Sequence, residues 1–226
     1  MPTVAITGAG SGLGRSLALT YSKHGYKVFL LGRSGKKLHL VRHEIIQNNG
    51  EAEVIICDVK EYSSVKIAFQ QIDTLDVFIN SAGVGVFGPL EAYSHSDIDV
   101  VLQTNVKGTI FTIQAALPLI QKNNGRMLTI ISTAGLRGKV NESIYCASKY
   151  AVRGFTESLQ EEWKDADFSI TAVYMGGMDT PFWRNSSHVK DTSHLQSPHA
   201  VAQQIYREDD GRKEIIIQPS MQRKFP

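Results

Sequence analysis

Two groups of residues have the types and spacing to do chemistry. The first is Thr7-Gly8-Ala9-Gly10-Ser11-Gly12-Leu13-Gly14, preceded by the apolar run Val4-Ala5-Ile6 and followed by the helically spaced Arg15 to Tyr21. Strand, glycine-rich turn and helix together cradle a phosphate. N–H groups at a helix start are unpaired, the helix dipole favours an anion there, and glycines let the backbone approach it. The Gly-Lys-Ser/Thr ending of a P-loop is missing, and Gly8-x-x-x-Gly12-x-Gly14 differs from the usual G-x-G-x-x-G spacing. The second group is Tyr145 and Lys149, four apart in a helical segment and so on one face. A free tyrosine has a pKa near ~10 and is a poor acid or base at neutral pH. A lysine cation and the positive ring of a bound cofactor would favour phenolate and lower that value. Taken alone the pair is weak, because a surface aromatic beside a solvated lysine is common. Ser132, which ends an apolar run, can hydrogen-bond a substrate oxygen.

These residues need a scaffold, and strand and helix patterns alternate along the chain. Strands are expected at 3–6, 27–31, 53–57, 76–79, 127–131, 168–174 and 214–217. Helices are expected at 13–24, 36–48, 63–72, 94–121 (interrupted near Asn105 to Gly108), 142–163 and 197–207. Gly25, Gly50 and Gly125 follow helices, where a left-handed cap is cheapest for glycine. The strands are short, β-branched and apolar on both faces, as parallel strands covered on both sides read. The fold class is therefore α/β, a doubly wound Rossmann-type sheet in a single domain of 226 residues. The irregular stretch 176–196 is the natural lid.

Ligands in such sheets lie beyond the carboxyl ends of the strands. There the chain places the glycine turn, Gly32-Arg33, Asp58, Asn80-Ser81-Ala82-Gly83, Ser132 and Met175-Gly176-Gly177, a rim suited to a dinucleotide. The second strand ends in Arg33 and no carboxylate. An acid there meets the ribose 2′-OH of NAD, whereas an arginine pairs with the 2′-phosphate of NADP. NADP(H) is thus favoured over NAD(H), with Arg15 as a possible second cation.

Composition narrows the rest. Hydrophobic content of 42% and charged content of 20% exclude a disordered chain. A net charge of +2 with no block of like charge gives no case for nucleic acid, and Lys36-Lys37 reads as solvated surface. Two distant cysteines, Cys57 and Cys146, fit a reducing compartment. Cys146 reads as a packed small residue rather than a nucleophile. The histidines lack metal-ligand spacing, so no metal is expected. No leader and no apolar run of about 18 residues is visible, so a cytoplasmic, membrane-free protein is expected. Phe182 and Trp183 could line a pocket or staple the loop.

The glycine turn, Asn80-Ser-Ala-Gly83, Asn105, Ser132 and Tyr145-Cys-Ala-Ser-Lys149 resemble, in order and spacing, the short-chain dehydrogenase/reductase family. The resemblance runs from residue 3 to about 218. It implies metal-free interconversion of a carbonyl and an alcohol with NAD(P)H, on a seven-stranded sheet of order 3-2-1-4-5-6-7. Tyr145 would be the acid or base, Ser132 would hold the substrate oxygen, and Lys149 would bind the nicotinamide ribose and tune Tyr145. Asn105 would anchor a water. Cofactor contacts would come from Gly8, Gly10, Ser11, Gly12, Leu13, Gly14, Arg33, Asp58, Val59, Asn80, Ala82, Gly83, Tyr145, Lys149, Gly176 and Thr180, with Asp58 at the adenine amino group and Val59 under the ring. Two departures stand out: Ser81 replaces the second asparagine, and Met175 replaces the proline after the sixth strand, which should loosen that turn. The partner is a small organic substrate. The helices around 109–120 and 151–159 imply a homodimer or homotetramer. A 3-oxoacyl-thioester reductase and a non-catalytic NADP(H)-binding redox sensor are the alternatives.

Overall fold

A computed structural model describes residues 1–184 and 188–217. Residues 185–187 of the expected lid lie outside the described residues. Strands β1 (Thr3–Thr7), β2 (Lys27–Gly32), β3 (Ala52–Ile56), β4 (Val77–Asn80), β5 (Arg126–Ile130), β6 (Ser169–Met175) and β7 (Glu214–Ile217) form one sheet. Their order is β3-β2-β1-β4-β5-β6-β7 and every pairing is parallel, as expected. The connecting helices are α1 (Gly12–Lys23), α2 (Gly35–Gln47), α3 (Tyr62–Phe69), α4 (His95–Leu102), α5 (Gly108–Asn123), α6 (Ser143–Glu162) and α7 (Pro198–Glu208).

Successive strand residues face opposite sides, so the sheet builds two cores. Val4, Ile6, Val28 and Leu30 pack with Leu17, Val41 and Ile205 from α1, α2 and α7. Ala5, Phe29, Leu31 and Phe78 pack with Val65, Ile113 and Ile120 from α3 and α5. The interruption expected near Asn105 is a π-helical turn, Gln103–Lys107, joining α4 to α5. Such single turns re-aim side chains within a continuing helix.

Three local readings change. Gly25 does take a left-handed φ of 83°, but after α2 and α5 that conformation falls to Asn49 (φ 59°) and Asn124 (φ 49°). Gly50 and Gly125 serve close packing instead: a Cβ would stand 2.1 Å from Ser22 Oγ at the first and 2.6 Å from the Asp76 carbonyl oxygen at the second. Met175 does not loosen its turn. It pairs opposite Ile217 and is buried, so β6 gains a residue where a proline would have withheld its N–H. Helix α3 stops at Phe69, earlier than expected, with Gln71 and Ile72 in tight turns behind it. Among the described residues no helix is long and apolar enough to cross a membrane, and no cluster could hold a metal ion.

Candidate active site

A cleft of about 860 Å³ runs along the carboxyl ends of the strands. At one end lies the glycine turn, tied to β2 by the Ala9 N–H donating to the Leu31 carbonyl at 3.2 Å. Ser11 precedes α1 without capping it through its side chain, so the first N–H groups of the helix keep their donors for a ligand. Gly14 could carry no side chain, because a Cβ would fall 2.4 Å from the Gly8 carbonyl oxygen. Thr180 closes over the turn, its Cβ 3.4 Å from where a Cβ of Gly12 would stand.

Gly8, Gly10, Ser11, Gly12, Leu13, Gly14, Arg33, Val59, Ala82, Gly83, Ser132, Tyr145, Lys149, Gly176 and Thr180 all line the cleft. Asp58, Asn80 and Asn105 do not line it. The Asp58 carboxylate accepts the Lys60 N–H at 3.1 Å. Asn80 is buried behind the strands, accepting from Thr7 Oγ1 at 3.2 Å and donating to Thr112 Oγ1 at 3.1 Å. The same Thr7 hydroxyl accepts the N–H groups of Ser81 and Ala82, which fixes the turn after β4. Arg15 is likewise elsewhere: its guanidinium pairs with Glu44 and ties α1 to α2.

Asn105 works from the layer beneath. Its Oδ1 accepts the Val84 N–H at 2.8 Å, and its Nδ2 donates to the Val84 carbonyl at 2.9 Å and to Ser148 Oγ at 3.0 Å. Ser148 in turn donates to the Tyr145 carbonyl at 2.7 Å. Both ends of the Asn105 amide are engaged, so its side chain clamps this wall to α6.

Ser132, Tyr145 and Lys149 come together at the inner end. Ser132 lies past β5 with φ 106°, ψ 150°, a region a residue with a Cβ rarely adopts. Such strain costs roughly 1–3 kcal/mol and clusters at functional sites. Its hydroxyl lies beside the Tyr145 phenol, and both line the cleft. Lys149 Nζ is 5.8 Å from the Tyr145 ring centroid and donates to the Ile130 carbonyl at 3.1 Å. A Cβ on Gly83 would stand 3.4 Å from Asn105 Oδ1 and 3.8 Å from Lys149 Nζ, so bare backbone passes over both.

In the chain alone, burial dominates the electrostatics of the pair. Burial pushes the Tyr145 phenol well above the usual tyrosine range, opposed by the Ser132 hydroxyl and reinforced by Glu142 and Cys146. Phe87 and Phe182 pack on the ring, and among the described residues no cation hydrogen-bonds its oxygen. Burial alone lowers the Lys149 ammonium to about 8.

Two features were missed in the sequence, and a third was foreseen only as alternatives. Lys37, read as solvated surface, lines the cleft with Arg33 and Ser34. Its side chain runs beside the turn, 3.0 Å from a Cβ position at Gly10. Glu142 is buried just before α6 and faces His188 Nε2 at 3.0 Å and Lys139 Nζ at 3.9 Å. Phe182 and Trp183 fill both roles foreseen for them, lining the cleft while Trp183 Nε1 staples the loop to the Met178 carbonyl at 3.0 Å.

Comparison with known proteins agrees with this geometry. The sequence matches the short chain dehydrogenase family over residues 2–191. The chain belongs to the short-chain dehydrogenases. An uncharacterised oxidoreductase of Staphylococcus aureus strain MW2 is 34% identical to this short-chain dehydrogenase over 180 residues, 77% of each chain. An alcohol dehydrogenase from Thermococcus sibiricus, complexed with 5-hydroxy-NADP, shares its fold at TM-score 0.90 over 100% of both chains and 24% identity. A putative short chain dehydrogenase from Shigella flexneri 2a, complexed with NADP, aligns at TM-score 0.86 and 27% identity over 95% of each chain.

Proposed function

We propose that the protein is an NADP(H)-dependent dehydrogenase/reductase that interconverts a carbonyl and an alcohol on a small organic substrate. One observation carries this reading. Ser132 and Tyr145 stand side by side at the inner end of the same cleft into which the uncapped start of α1 opens.

The residues fit a dinucleotide. The glycine turn offers backbone N–H groups to a diphosphate, and Val59 offers an apolar surface to a base. Arg33, Ser34 and Lys37 form the part of the lining where β2 passes into α2. The acids lining the cleft, Asp97 and Glu142, belong to α4 and the approach to α6. Cations without a competing carboxylate favour a 2′-phosphate over a bare 2′-hydroxyl. When bound, the nicotinamide supplies or accepts the hydride.

The chain's own groups handle the proton. A phenol kept protonated at neutral pH by burial is the acid form, ready to give its proton to the carbonyl oxygen as the carbonyl carbon gains a hydride. Ser132 shares that oxygen and orients it. Lys149 would hold the nicotinamide ribose and supply positive charge near the phenol. Asn105 is a positioning residue, holding Val84 and α6 in register. The thioester alternative loses support because Lys139, one of its two basic residues, faces Glu142. The sensor alternative loses support because serine, tyrosine and lysine stand together.

Self-association is part of this reading. Phe111 and Ala115 on α5, and Phe155 and Leu159 on α6, are only partly buried within one chain. Purified protein should consume NADPH with a panel of simple ketones, diketones and quinones, followed by the loss of reduced-cofactor absorbance. No consumption with any member, at cofactor saturation, would remove the reductase reading.

A further inference from the structure

Resting on the carbonyl–alcohol reading above, we infer that the substrate is a flat aromatic or conjugated carbonyl compound without negative charge, seated against a wall of rings beside Tyr145. Phe87 and Phe182 bring their centroids to 5.4 Å and 5.8 Å from that of Tyr145. Trp183 stacks on Phe87 at 5.2 Å and 28°, and His188 stacks on it at 5.0 Å and 19°. Trp183 and His188 are 6.3 Å apart, far less than two rings on opposite faces of Phe87 would be. Phe87 is therefore braced from one side. Phe87, Phe182 and Trp183 all line the cleft.

The wall depends on a missing side chain. A Cβ at Gly85 would stand 2.4 Å from Phe87 Cζ and 2.6 Å from Phe182 Cζ, so only glycine lets these rings converge. Polar bonds then fix the ring planes. Trp183 Nε1 donates to the Met178 carbonyl, and His188 Nε2 meets Glu142 Oε1 at 3.0 Å. A surface ordered before the ligand arrives loses little freedom on binding it. Rings prefer edge-on or offset partners to a thick saturated body, and the preference is worth about tenfold in affinity.

Charge completes the selection. The Glu142 carboxylate is buried at this wall, and Lys139 and His188 each already face it. An incoming carboxylate would meet a buried like charge whose neighbouring ammonium and imidazole are already engaged.

Three ketones test this on the intact protein saturated with NADP⁺, where no reduction can occur: acetophenone, cyclohexyl methyl ketone and benzoylformate. Binding is read by ligand-observed NMR. Acetophenone should bind about tenfold tighter than each of the others. Phe87→Leu and Trp183→Leu should each bring the acetophenone to cyclohexyl ratio below about threefold. Equal binding of the two neutral ketones, no binding of acetophenone, or benzoylformate binding as well as acetophenone overturns the inference. Should a variant fail to fold, the wild-type ratios still decide. Turnover with NADPH is scored separately. Ring preference without reduction strikes the hydride-transfer reading alone, and reduction without ring preference strikes only this one.

Discussion

Lys149 Nζ donates to the main-chain carbonyl of Ile130, 3.1 Å away and two residues before Ser132. A lysine cation is thereby buried against the end of the strand that leads to the strained serine. The carbonyl satisfies one of its three N–H donors, and the remaining desolvation lowers its pKa to about 8.

That burial has a measurable cost with a definite sign. Below pH 8 the lysine is protonated in both folded and unfolded chains, and the folded state bears the full penalty. Between about 8 and 10.4 the unfolded chain binds the extra proton, so the penalty shrinks as pH rises. Lys149→Met should therefore be more stable than wild type near neutral pH, by about 2–4 kcal/mol, while losing turnover. Urea melts at pH 7 and pH 9.5 check it: the gap between the two proteins should narrow at the higher pH. A constant gap would show that Lys149 titrates normally.

Tyr145→Phe removes one oxygen and leaves the ring among Phe87 and Phe182. Turnover should fall by about 10²–10⁴ or more. NADPH affinity should stay within a few-fold. Steady-state rates beside a fluorescence titration with NADPH separate the two effects, and retained turnover would take Tyr145 out of the mechanism.

Arg33→Ala should weaken NADPH by about 1–3 kcal/mol, the range for a charged hydrogen bond, and barely change NADH. Lys37→Ala should act in the same direction by a similar amount. Dissociation constants for both cofactors, taken at two salt concentrations, make the comparison. If either variant loses NADPH and NADH equally, that residue does not meet the 2′-phosphate.

Phe111 and Ala115 on α5 and Phe155 and Leu159 on α6 are partly buried apolar residues that a partner chain would cover under the self-association proposed above. Light scattering at micromolar concentration should give at least twice the 25.0 kDa chain mass. A monomer at that concentration refutes self-association.

Much of this was legible in the chain, for a physical reason. The glycine turn and the Tyr145–Lys149 pair are local: chain neighbours or one helical turn fix their geometry, so spacing alone reports it. The doubly wound class follows from alternating elements with buried strands, and the strand order from the family resemblance. What escaped depends on distance. The ring wall draws Phe87, Tyr145, Phe182, Trp183 and His188 from separate segments, with no shared period to announce it. Lys37 looked solvated because its helix face is polar; only the closeness of Gly10 brings it to the cleft. The burial of Tyr145 among phenylalanines, which raises its phenol, is a tertiary fact that spacing does not carry. At α2 and α5 the left-handed residue was misassigned, since asparagine shares glycine's tolerance for that conformation.

The backbone at Ser132 sets fold and reactivity at odds. Ser132→Gly would relax the torsion that the hydroxyl-bearing residue must endure, so a screen for heat resistance alone would drift toward it. Its winners would melt later and lack the hydroxyl that stands beside Tyr145, which makes position 132 a place where laboratory evolution must score both properties at once.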